Sequence, residues 1–69
     1  MTQKALVVED DVVLAELLAE VLRRMSFETA VHHEGKHVVE FVRTDQPDLV
    51  LLDLMLPDIS GYDICRQLK

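Results

Sequence analysis

The stretch LVLLD, Leu49–Asp53, is apolar on both of its alternating faces and then ends in a carboxylate. A strand with one wet face alternates apolar and polar side chains, whereas one that is apolar throughout belongs to a parallel sheet covered on both sides. KALVV, Lys4–Val8, also reads as a buried strand, and it stops at three acids, Glu9, Asp10 and Asp11. Two buried strands that each run into acidic residues restrict the chain to α/β architectures, in which the strand ends carry the chemistry.

The intervening segments supply the helices. Val13, Leu14, Leu17, Leu18, Val21, Leu22 and Met25 recur at helical spacing, and Asp11 stands where an N-cap is wanted, which predicts a helix from Val12 to Met25. FETAV, Phe27–Val31, alternates apolar and polar residues and reads as a less buried strand at a sheet edge. A polar loop from His32 to Gly35 leads into a short helix over Lys36–Thr44, ended by the Asp45-Gln46-Pro47 turn. Ser60 with Asp63 three residues on forms a capping-box pattern, so a last helix starts near Gly61 and runs to Lys69. The order β-α-β-α-β-α implies parallel strands joined by right-handed crossovers.

With 69 residues, 49% of them hydrophobic and 29% charged, the chain has room for one small globular domain and is not a disordered segment. Thirteen acidic residues against seven basic ones give a net charge of -6, which opposes non-specific attraction to nucleic acid or anionic lipid. No apolar run is long enough to cross a membrane. A single cysteine, Cys65, cannot close an internal disulfide and no signal peptide is evident, so a cytoplasmic location is expected.

If the first and third strands are neighbours, Glu9, Asp10 and Asp53 converge on one rim and need a cation or a proton to offset their repulsion. An all-oxygen donor set favours a hard ion, Mg2+ with Mn2+ as a substitute. His32, His33 and His37 read as a solvated loop and helix start and receive no chemistry. A dinucleotide-binding turn is disfavoured, because Glu9, Asp10 and Asp11 would repel phosphate where a glycine-rich loop should receive it. Phosphatases built on an Asp nucleophile with a second Asp two positions later are disfavoured too, because Met55 stands there.

The motifs ALVVEDD at Ala5–Asp11 and PDLVLLDLMLPDISGYD at Pro47–Asp63 resemble the receiver domain of two-component response regulators, and the resemblance covers the whole chain. It implies a flavodoxin-like (CheY-like) sheet with helices on both faces and strand order 2-1-3 for the part present. It also implies a signalling domain, not an enzyme in the ordinary sense, that takes a phosphoryl group from a sensor histidine kinase onto Asp53. Glu9 and Asp10 match the acidic pair that holds Mg2+, and Met55 matches the position whose backbone carbonyl completes the metal shell. Pro57 and Gly61 match positions that shape the loop after the phosphoacceptor, and Leu14 to Leu18 lie where a kinase would dock. Asp11 reads as a helix cap.

The family fold has five strands and about twice this length. Residues 1–69 are therefore expected to be a partial receiver domain without the last two βα units, and with them a Ser or Thr and a Lys that contact the phosphoryl group. None of Ser60, Lys4, Lys36 or Lys69 stands at a matching position. An output domain outside the chain could bind DNA. The strand over residues 49–54, left as an edge, is expected to promote self-association. Two alternatives follow: a non-catalytic self-association module with a receiver-like half-fold, and a small divalent-metal-binding fragment.

Overall fold

In the computed structural model, which describes residues 2–68, six elements alternate: β1 (Gln3–Val8), α1 (Val12–Arg24), β2 (Phe27–His32), α2 (Val38–Asp45), β3 (Leu49–Leu52) and α3 (Gly61–Leu68). Lys69, where the last helix was expected to end, lies outside the described residues. The strands form one parallel sheet in the order β2-β1-β3, as the sequence predicts. Ala5 pairs with Leu49 and Val8 with Leu52 on one side of β1, while Gln3 pairs with Phe27 and Val8 with His32 on the other.

The period-2 geometry of β1 divides the core into two layers. Ala5 and Val7 join Ala15 and Leu22 beneath α1, with Leu18, Phe27, Val31, Leu49 and Leu51 packed around them. Leu6 and Val8 join Val38 and Ile64 on the opposite face, beneath α2 and α3. Ala5 through Val8 are at most 2% exposed, so β1 is the buried central strand. Full burial of a side chain the size of Leu6 contributes about 1.5–3 kcal/mol.

Several local expectations are revised. α1 buries Ala15, Ala19 and Leu22, while Leu14, Leu17, Val21 and Met25 stay 42–63% exposed. Small residues let the helix lie close over β1 and β2, which turns one flank of its wide apolar arc outward. β3 ends at Leu52, so Asp53 and Leu54 lie beyond the strand. It is half-buried along its length, because β1 is its only strand partner among the described residues.

α2 begins at Val38 and not at Lys36. The chain first turns through His37 at φ 68, a left-handed conformation, and Val38 N–H bonds back to the Gly35 carbonyl at 3.1 Å. His32 closes β2, half-buried and edge-on to Phe41 with ring centroids 4.8 Å apart, so it is not part of the loop. The capping box does not close. Ser60 Oγ accepts the Tyr62 N–H at 3.2 Å, while the Asp63 carboxylate turns along the helix to Arg66.

Candidate functional site

The parallel register of β1 and β3 sets the site. One residue past the Val8–Leu52 pair the ladder continues, with Asp53 N–H donating to the Val8 carbonyl at 2.9 Å. Glu9 N–H donates to the His32 carbonyl at 3.0 Å, which fixes the other side of the rim. Asp11 caps α1, its Oδ1 accepting the Leu14 N–H at 3.1 Å, so the helix starts immediately after the acidic turn. Asp11 thus takes the capping role predicted for it.

Glu9, Asp10 and Asp53 each bring a carboxylate oxygen to within 4.8 Å of the others. Glu9 and Asp53 are half-buried and Asp10 is exposed. A recess of about 240 Å³ opens beside Glu9 and Asp53, walled by Val8, Leu18, Leu51 and Leu52. The donor set is oxygen only, and Cys65 is an exposed thiol on α3. Three convergent carboxylates with access to solvent fit a hard divalent cation.

Burial pushes the Glu9 carboxyl above its ordinary value; the Asp11 N–H opposes this, and the nearness of Asp53 and Asp10 reinforces it. The Asp53 carboxyl is held below its ordinary value, first by the Met55 N–H on its Oδ1 at 2.9 Å and then by hydrogen bonding with Glu9. Without metal, Glu9 therefore takes up a proton more readily than Asp53 as pH falls.

The loop from Asp53 to Ser60 folds back on itself. Met55 and Ser60 form an antiparallel bridge, and Gly61 N–H donates to the Leu54 carbonyl at 3.1 Å. A Cβ on Gly61 would collide with the Asp53 carbonyl oxygen and sit 2.5 Å from Leu54 Cα. Glycine is needed here for close approach, so that α3 can start against the acidic strand end. Pro57 is exposed at the bend of this loop, and the Met55 side chain points to solvent at 85% exposure.

Lys4 pairs with Asp45 at 3.5 Å from the start of β1, the end of the sheet opposite Asp53, and Lys36 lies in the β2–α2 loop. Sequence reasoning missed the contacts of two side chains, His33 and Asp58. His33 Nδ1 lies 3.0 Å from the Glu9 carbonyl oxygen, and Asp58 accepts hydrogen bonds from the backbone of Gly35 and Lys36. The solvated-loop reading holds for His37, which is exposed beside Glu40, and for His33, which is exposed in the loop while its Nδ1 meets the Glu9 carbonyl.

The response regulator receiver domain family model matches residues 5–69. The DNA-binding response regulator MtrA of Mycolicibacterium paratuberculosis is 54% identical over all of this chain, which spans 31% of that protein's length. The transcriptional regulatory protein BaeR of Escherichia coli is 41% identical over 99% of the chain, which covers 28% of BaeR. Among solved structures, a CheY-like response regulator receiver domain from Methylobacillus flagellatus superposes with a TM-score of 0.89 at 35% identity, over 99% of this chain and 58% of that one. The BeF3-activated N-terminal receiver domain of Klebsiella pneumoniae RstA gives 0.88 at 38% identity, over 96% and 56%. The chain belongs to the response regulator receiver domain family of two-component signalling proteins.

Proposed function

We propose that Asp53 is the phosphoacceptor, receiving a phosphoryl group from a sensor histidine kinase beside a Mg2+ or Mn2+ ion held by Glu9, Asp10, Asp53 and the Met55 backbone carbonyl. The observation that carries this reading is the approach of the three carboxylates within 4.8 Å at the ends of β1 and β3. An Asp53 oxygen attacks phosphorus, a P–O bond forms, the P–N bond of the phosphohistidine breaks, and the departing imidazole takes a proton. A bound divalent ion supplies neutralisation of charge between the nucleophile and the phosphoryl oxygens.

The chain's own residues keep the nucleophile ready. The Met55 N–H orients the Asp53 carboxylate and favours its ionised form, while Glu9 takes up a proton more readily. Gly61 lets α3 begin directly against the Asp53 backbone. The family's Ser or Thr and Lys that meet the phosphoryl group have no matching position within residues 1–69. Phosphorylation by a small phosphodonor with Mg2+, lost on Asp53→Asn, is the test.

The relatives named as DNA-binding response regulators support the reading that this receiver segment works with an output domain that binds DNA. None of the helices in the described residues is long and apolar enough to cross a membrane. The kinase partner and the lone cysteine fit a cytoplasmic setting. A second reading, self-association of the chain through residues 49–54, is favoured by β3 having β1 as its sole strand partner among the described residues.

A further inference from the structure

The β2–α2 loop touches both halves of the acidic site. From one end, the His33 Nδ1–H donates to the Glu9 carbonyl at 3.0 Å; a carbonyl only accepts, so the ring carries its proton on Nδ1. At the other end, Gly35 and Lys36 donate their N–H groups to Asp58, one to each carboxylate oxygen, both at 2.8 Å. Asp58 lies on the same loop as Asp53 and Met55. Gly35 is buried against that loop: a Cβ there would overlap Ile59 Cγ2 and sit 2.9 Å from Ile64 Cδ1 and 3.3 Å from Leu56 Cδ1.

The Glu9–Asp10 turn and the Asp53–Met55 loop are therefore joined twice, once by β1–β3 pairing and once by this short bridge. Strand pairing alone leaves the exposed loop after Leu52 free to splay under the mutual repulsion of the carboxylates. Each Asp58 oxygen accepts one of these amides, and Asp58 lies outside the convergent cluster of Glu9, Asp10 and Asp53. The amides favour its ionised form.

We propose that residues 33–36 act as a bracket, with His33 and Asp58 as positioning residues that hold Glu9 and Asp10 at a fixed separation from Asp53 and Met55 for a divalent cation. This rests on the reading that the carboxylate cluster binds such a cation. Truncating either tie weakens cation binding by about tenfold, the range for groups that orient ligands without touching the metal. Both ties serve one bracket, so losing the second costs less than losing the first.

The test measures Mn2+ affinity by paramagnetic resonance for the unaltered chain, His33→Ala, Asp58→Ala, the double variant, Asp58→Asn and Asp10→Ala. Amide exchange of Met55 is followed in parallel without metal. The bracket predicts weakened binding in both single variants, a less than multiplicative loss in the double variant, and partial recovery in Asp58→Asn, which keeps one acceptor oxygen. It also predicts at least tenfold faster exchange at Met55 while Leu6 and Val7 stay protected. Unaltered Mn2+ affinity in both single variants, with binding lost in Asp10→Ala, overturns the bracket and leaves the cation site standing. Equal affinity for Asp10→Ala and the unaltered chain overturns the cation site; the bracket is then judged by Met55 exchange, and unchanged exchange refutes it. Should Asp58→Ala fail to fold, Asp58→Asn carries the same comparison.

Discussion

Glu9 and Asp53 stand side by side one residue beyond the paired ends of β1 and β3, and the protein treats the two carboxyls oppositely: burial raises Glu9, while the Met55 amide lowers Asp53. Two acids of the same kind are thus given different tasks by position, one taking up protons first and the other staying anionic.

Asp10 is the exposed member of the cluster, where Glu9 and Asp53 are half-buried. Asp10→Ala is expected to lower Mg2+ affinity by about tenfold or more, about 1.4 kcal/mol or greater. Calorimetric titration of the variant beside the unaltered chain checks this, and equal affinities would remove Asp10 from the ligand set.

Gly61 has no room for a side chain against the backbone of Asp53 and Leu54. Gly61→Ala should destabilise the fold by about 1–3 kcal/mol, the usual cost of forcing atoms into a packed site. Urea unfolding reads the change in midpoint. A variant as stable as the parent would mean that α3 can shift away from the strand end freely.

Asp58 titrates below its ordinary value of 3.8, chiefly through the Gly35 N–H and further through that of Lys36. A carboxylate with a depressed folded-state pKa contributes stability that is complete above the unfolded-state value and disappears as pH falls through the folded-state value. The stability difference between the parent and Asp58→Asn should therefore be full at neutral pH and close in acid below 3.8. Unfolding curves across the acid range follow it, and a difference that ignores pH would contradict the assignment.

β3 offers an unpaired edge among the described residues, and Leu14, Leu17, Val21 and Met25 line an exposed flank of α1. The chain on its own is expected to sediment as a dimer or larger species at micromolar concentration. A well-folded monomer under those conditions would rule out self-association.

Much of this was legible in the sequence because it rests on local pattern. The doubly apolar runs at Lys4–Val8 and Leu49–Leu52 marked two strands of the parallel sheet, Asp11 marked the helix start, and the acids after each run pointed to a shared rim. What escaped depends on contacts distant in the chain. The burial of Ala15 and Ala19 in place of larger neighbours follows from how closely α1 approaches the sheet. The delayed start of α2 follows the turn through His37, and the free capping box follows the turning of Asp63 toward Arg66. Asp58 and Gly35 meet across 23 residues, and no local periodicity announces such a pair. The only sequence signal there was one of just two glycines standing in a polar loop.

The central claim is that Asp53 accepts the phosphoryl group. Incubation of the full-length protein carrying this segment with a small phosphodonor and Mg2+, followed by mass spectrometry, tests it most directly. The expected result is a single hydroxylamine-labile phosphoryl group located at Asp53, dependent on the divalent ion and lost in Asp53→Asn. No uptake at Asp53, or equal uptake by Asp53→Asn, would contradict it.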